Sequence, residues 1–160
     1  MVSNGAIVAR ILIAAALGGF IGIERELRDQ PAGFRTHLLV ALGSCLFALV
    51  GAFGFQGFLA EGQPALSADM TRVASQIVVG IGFLGGGTIL REGMTIRGLT
   101  TAASLWVTAA VGLAVAIGFY VGAIVVAIVA IVALAGLKPL EKRFTSFRSK
   151  RPPEGDVDEP

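Results

Sequence analysis

The sequence predicts an all-α membrane protein of five transmembrane helices, and three observations carry that prediction. At 160 residues, 54% hydrophobic and only 15% charged, with a mean hydropathy of +0.79, the chain holds more apolar surface than a soluble domain of this size can bury. Uncharged runs of about 17 to 20 residues recur, the length that crosses the roughly 30 Å hydrocarbon core of a bilayer. Lys and Arg gather in alternate connections, the pattern that fixes the orientation of a membrane protein.

Ile7 to Ile23 is the first expected span, with Arg10 near one end and able to reach the interface. It leads into Glu24-Arg25-Glu26 without a cleavage signal, so it reads as a retained helix. The segment Glu24 to Thr36 is a charged turn around Pro31-Ala32-Gly33. His37 to Phe58 is the second span and Leu59 to Arg72 a polar connector. Val73 to Leu90 is the third, followed by a loop over Arg91 to Gly98. Leu99 to Leu137 has no charge over 39 residues, twice one span, so a turn must divide it. Gly118-Phe119-Tyr120 is the expected place, giving spans at 99–117 and 119–137. Residues 138–160 form a tail, basic then acidic, whose final stretch reads as disordered.

With the N-terminus outside, the inner segments carry eleven of the 13 Lys and Arg: Arg25, Arg28 and Arg35 in one loop, Arg91 and Arg97 in the next, six in the tail. That places the C-terminus in the cytoplasm.

Gly80 to Thr101 reads as the packing centre, a glycine-dense helix and loop opening into the next helix. Its glycines would cost roughly 1 kcal/mol each in a soluble helix, but between membrane helices they allow close backbone approach. Gly18, Gly22, Gly82, Gly85, Gly86 and Gly87 are the expected packing glycines, and Gly118/Gly122 repeats the spacing of four. Gly80, Gly82 and Gly85 also spell G-x-G-x-x-G, but inside a membrane span that motif lacks the strand and soluble helix it needs.

Two stretches resemble each other. Leu17-Gly18-Gly19, Arg25-Glu26 and Gly33-Phe34-Arg35-Thr36 parallel Leu84-Gly85-Gly86, Arg91-Glu92 and Gly98-Leu99-Thr100-Thr101. They are readable as a parallel repeat of two helical hairpins plus one helix, or as chance matches in a glycine-rich chain. Neighbouring residues on a helix do not face each other, so neither Arg25-Glu26 nor Arg91-Glu92 is expected to be a self-contained ion pair, and pairing between the two loops is geometrically freer. Glu24, Arg25, Glu26, Arg35, Arg91, Glu92 and Arg97 then form a cytoplasmic charged cluster, either a contact surface or a set of interfacial anchors.

Thr88, Thr100, Thr101 and Ser104 are the polar groups that could line a pathway, against the alternative that they bond across or within helices. No ionisable group lies deep in the spans, where a transporter usually carries one. One histidine, His37, and one cysteine, Cys45, leave nothing to assemble into a transition-metal site or nucleophile-base pair. The chain is therefore read as non-enzymatic and without cofactor. A net charge of +2 gives no basic field for nucleic acid. The expected partners are the bilayer, further copies of the chain and a membrane protein.

The chain resembles the MgtC/SapB family of bacterial inner-membrane proteins. The resemblance rests on Gly22-Ile23-Glu24-Arg25-Glu26, the stretch from Ala32 to Val40, the run from Gly80 to Gly87, Arg91-Glu92-Gly93, and the segment from Arg97 to Trp106. It covers about residues 7 to 137, and Gly86 stands where the family usually has alanine. It implies a five-span, multi-pass protein of the bacterial cytoplasmic membrane. Its best-known relatives are linked to growth in low magnesium, stress and virulence inside macrophages, and inhibition of the F-type ATP synthase. Larger members carry a soluble C-terminal domain; with 23 residues after Leu137, this sequence reads as a short member without it. Two functions stay open: a membrane regulator presenting its charged inner loops to a partner, and a small oligomeric transporter or channel subunit for magnesium or another ion.

Overall fold

Five helices and one β-hairpin make up the described part of the computed structural model, which covers residues 2–54 and 70–148, with side-chain surroundings for 2–53 and 72–136. In order these are α1 (Asn4–Glu26), α2 (Phe34–Leu49), α3 (Met70–Gly87), β1 (Leu90–Glu92), β2 (Thr95–Arg97), α4 (Leu99–Ala116) and α5 (Tyr120–Arg148). A π-helical turn, Val50–Gly54, extends α2. The end of the expected second span, its polar connector and residues 149–160 lie outside the described residues.

Local chemistry sets the helix ends. The Ser3 hydroxyl accepts from the Ala6 N–H at 3.2 Å and caps α1. Past α1, the Gln30 N–H reaches Arg25 O and the Asp29 N–H reaches Glu26 O, with Asp29 at φ +53°. This is the Schellman pattern, with an aspartate in the place usually given to glycine. Gly118 at φ +85° closes α4 the same way, with Phe119 N–H on Ala114 O and Gly118 N–H on Val115 O. The turn therefore falls at the glycine the sequence points to.

The structure adds detail to two segments. The loop over Arg91 to Gly98 is a short antiparallel hairpin: Leu90 faces Arg97, and Gly93 at φ +62° makes the turn. Helix α5 continues to Arg148, well past Leu137. Hydropathy ends a span where charges begin, but lysine, glutamate and arginine are good helix formers and let the backbone continue.

Arg10 bonds to the ends of α4 and α5 at Ala116 and Tyr120, whereas Arg28 bonds to Ala135 far along α5. His37 at the start of α2 meets Ser104 near the start of α4. Helices α1, α3 and α5 thus run one way and α2 and α4 the other. Three helices, Asn4–Glu26, Phe34–Phe53 and Leu99–Ala116, are long and apolar enough to cross a membrane, and two shorter apolar helices accompany them.

Helix α4 is the centre of the bundle, with nine buried residues and packing against α1, α2, α3 and α5. The core is made of small side chains: Ala14, Ala48, Ala116, Ala123 and Ala127 around Ile21, Cys45 and Val111. Large ones point outward, including Leu12, Phe20, Phe47, Phe83 and Val121, each more than half exposed. Small inside and large outside is the arrangement of helices whose solvent is lipid.

Within one copy, the closest glycine contacts lie on α1 and α4 against α2 rather than in Gly80 to Thr101. A Cβ on Gly18 would sit 2.5 Å from Ala41 Cβ, and one on Gly22 would sit 2.7 Å from Phe34 Cα. Gly112 abuts the Ala41 carbonyl still more closely. On α3, Gly82, Gly86 and Gly87 have nothing within 4 Å, and Gly85 meets Ala102 only at ordinary contact distance. Gly118 serves the turn, and Gly122 lies against the Phe119 ring.

Candidate functional site

The end of the bundle where α1 stops and α2 and α4 begin holds a concentration of buried polar groups. His37 is fully buried: its Nδ1 lies 3.0 Å from Gly33 O and its Nε2 3.0 Å from Ser104 Oγ. Ser104 Oγ is also 2.8 Å from Thr101 O, and Thr108 Oγ1 donates to Ser104 O at 2.8 Å. About two helical turns further along α2, Ser44 Oγ donates to Ala109 O at 2.6 Å. These bonds tie α2 to α4 at two heights. Gly22 makes the first possible, since a side chain there would meet His37 Cβ at 3.0 Å.

Arg25 is the second feature. Only 1% exposed, it donates from Nη2 to Gln30 Oε1 at 2.7 Å and lies 3.7 Å from Glu24. Gln30 in turn donates to Arg28 O at 2.9 Å, so the turn after α1 folds its glutamine over the guanidinium. Arg28 pairs with Glu24 one turn back and donates to Ala135 O, fastening α5 to the same end. Glu26 accepts from the Phe34 N–H at 2.7 Å and so caps α2.

The charged residues named from sequence therefore divide. Glu24, Arg25 and Glu26 are taken up in building the α1–α2 corner. Arg97 pairs with Glu92 across the β-hairpin at 3.3 Å, both well exposed, and Arg91 donates to Gly93 O. The expectation of pairing between the two loops is not met among the described residues; each loop closes on itself. A reverse turn and a β-hairpin bring partners together that a continuous helix would keep apart. Arg35 is exposed at the start of α2.

The named polar residues divide as well. Thr101 and Ser104 are buried in the α2–α4 bond network, Thr88 is half-buried and donates to Gly85 O at 2.8 Å, and Thr100 is exposed. They do not converge on one cavity. The cleft found among the described residues, about 700 Å³ between α2 and α3, has almost wholly apolar walls. Residues missed from sequence are Arg25 as a buried group, Gln30 as its partner, and Arg10 as a clasp. Arg10 donates to Ala116 O at 2.7 Å and lies 5.9 Å from the Phe53 ring centre. Its isolation inside an apolar span was the available signal.

An all-helical chain with small residues inside, large apolar ones outside and a hydrogen-bonded polar end defines a membrane protein built on close α1–α2–α4 packing. The chain belongs to the MgtC family, which it matches over residues 11–143. It is 45% identical over 113 residues to an Escherichia coli K12 protein named "Putative magnesium transporter YhiD", covering 71% of this chain and 52% of that protein. It is 45% identical over 127 residues to "Protein MgtC" of Brucella abortus strain 2308, covering 79% of this chain and 49% of that one. An uncharacterized Haemophilus influenzae protein is 36% identical over 146 residues, 91% of this chain and 60% of that one. The chain spans about half the length of the curated relatives it matches. No solved structure matches it.

Proposed function

We propose that this chain is a five-span protein of the bacterial cytoplasmic membrane, N-terminus outside, that acts as a non-enzymatic regulator in adaptation to magnesium limitation. Its inner end, with the hairpin of Glu92 and Arg97, is the contact surface for a membrane partner, and the F-type ATP synthase is the partner the family resemblance offers. One observation carries this reading: the side chains of Ser104, Thr108, Ser44 and His37 are bonded to each other and to backbone carbonyls, that of Thr101 among them. Polar groups consumed in this way hold helices together and leave none to replace an ion's hydration shell. ATP-driven proton pumping in inverted membrane vesicles tests the partner. Pumping that falls when the protein is present, and recovers with Glu92→Ala and Arg97→Ala together, supports it; pumping unaffected by the protein removes the synthase as partner.

A second reading, an oligomeric magnesium transporter subunit, is favoured by the name of the E. coli relative. It calls for a pathway between copies, since Thr88, Thr100, Thr101 and Ser104 do not line the cleft found among the described residues.

A further inference from the structure

The cleft between α2 and α3 is floored by Ala109 of α4 and walled by Leu39, Val40 and Phe47 on one side and Val73, Ile77 and Leu84 on the other. Gly43 and Gly80 also line it, and a Cβ on either would meet nothing within 4 Å, so both walls are recessed. Arg35, the one charged residue among the described residues that line it, stands at the end where α2 begins.

Arg35 differs from its neighbours. Arg25 and Arg28 are held by Glu24 and by amide or carbonyl oxygens, and Arg97 by Glu92. Among the described residues no carboxylate pairs with Arg35. An exposed guanidinium with its donors free, at the mouth of an apolar groove, is a receptor for an anion that carries a hydrocarbon chain. The groove's length fits this: Arg35 to Phe47 spans about 18 Å of helix at 1.5 Å per residue. One leaflet of a hydrocarbon core roughly 30 Å thick is of similar length. An anionic lipid supplies both the chain that fits the apolar walls and the charge that fits the guanidinium.

We propose that this cleft is a binding site for an anionic phospholipid of the cytoplasmic leaflet, with an acyl chain between α2 and α3 and the headgroup phosphate on Arg35. The proposal rests on the membrane-spanning orientation given above. Transfer of a chain from bilayer to groove gains little hydrophobic free energy, so selectivity comes from the charge at the mouth. Basic pockets between membrane helices on the cytoplasmic side act in this way.

The test uses the full chain reconstituted in nanodiscs of equal phosphatidylglycerol and phosphatidylcholine, extracted gently, with retained lipid counted by native mass spectrometry. The wild type retains phosphatidylglycerol over phosphatidylcholine by about fivefold, the factor expected from one basic group near a phosphate. Arg35→Gln brings the ratio to parity with total retained lipid little changed, while Gly80→Leu, which fills the groove, lowers retention of both. Circular dichroism equal to wild type shows that each variant is folded. No preference in the wild type, or a preference that survives Arg35→Gln, overturns the proposal. So does a Gly80→Leu variant that dissociates a dimer and leaves retained lipid unchanged, which would give the cleft to a second copy. Alkaline extraction separates the two levels: protein released from membranes contradicts the membrane-spanning reading, while protein that stays but shows no lipid preference contradicts the lipid site alone.

Discussion

His37 Nε2 and Ser104 Oγ lie 3.0 Å apart across the α2–α4 interface, both side chains buried. His37 is also bonded to Gly33, the residue before its own helix, so a single side chain fixes both the start of α2 and its register against α4. Replacing His37 by alanine removes these partners and leaves a cavity, at an expected cost of about 2 to 3 kcal/mol. Interhelical hydrogen bonds in membranes couple by only about 0.6 kcal/mol on average. A double-mutant cycle of His37→Ala with Ser104→Ala, read by unfolding in detergent, should therefore return a small coupling beside a large single-mutant loss. A coupling equal to the whole loss would make the bond, not the packing, the stabilising element.

The glycines make a sharper contrast. Gly18→Leu and Gly112→Leu place side chains into Ala41 and should abolish folded protein in fluorescence-detected size exclusion. Gly82→Leu and Gly86→Leu point into open space and should leave the monomer folded. Gly85→Ala should be tolerated, since its Cβ meets Ala102 O at 3.5 Å, while Gly85→Leu should push α3 from α4.

At the opposite end, Arg10 joins three elements through Ala116 O, Tyr120 Oη and the Phe53 ring. Arg10→Leu loses charge-assisted bonds and should cost about 1.5 to 3 kcal/mol. Tyr120→Phe removes only the 3.3 Å contact and should cost under about 1 kcal/mol. Thermal midpoints of the two variants check the order.

Arg25 predicts a large charge effect. Removing it takes the charged donor from Gln30 Oε1 and empties a fully buried site, at an expected cost of about 1 to 3 kcal/mol, while Glu24 keeps its pairing with Arg28. Arg25→Ala should therefore lower the yield of folded protein far more than Arg91→Ala, whose guanidinium is exposed and bonded only within its own hairpin. Equal yields would contradict the structural role given to Arg25.

Helix number and the Gly118 turn were legible because uncharged length and a glycine between two spans are one-dimensional signals. Faces were not. A helix that is apolar all round offers no amphipathic stripe to say which side packs, so the glycine-dense α3 looked central although Gly82, Gly86 and Gly87 have open space beside them. The packing glycines Gly18 and Gly22 were visible as a spacing of four, but Gly112, alone in its helix, gave no such sign. Arg25 looked like a surface anchor because the sequence does not show that Gln30 turns back to cover it.

The central claim, a closed polar end in a bundle that does not conduct, is tested most directly by magnesium, potassium and proton flux into liposomes containing the purified protein, with Arg91→Ala and Thr101→Ala beside it. The account predicts no flux above empty liposomes from folded, inserted protein. Selective flux that is lost in Thr101→Ala would contradict it and make the α2–α4 interface a pathway.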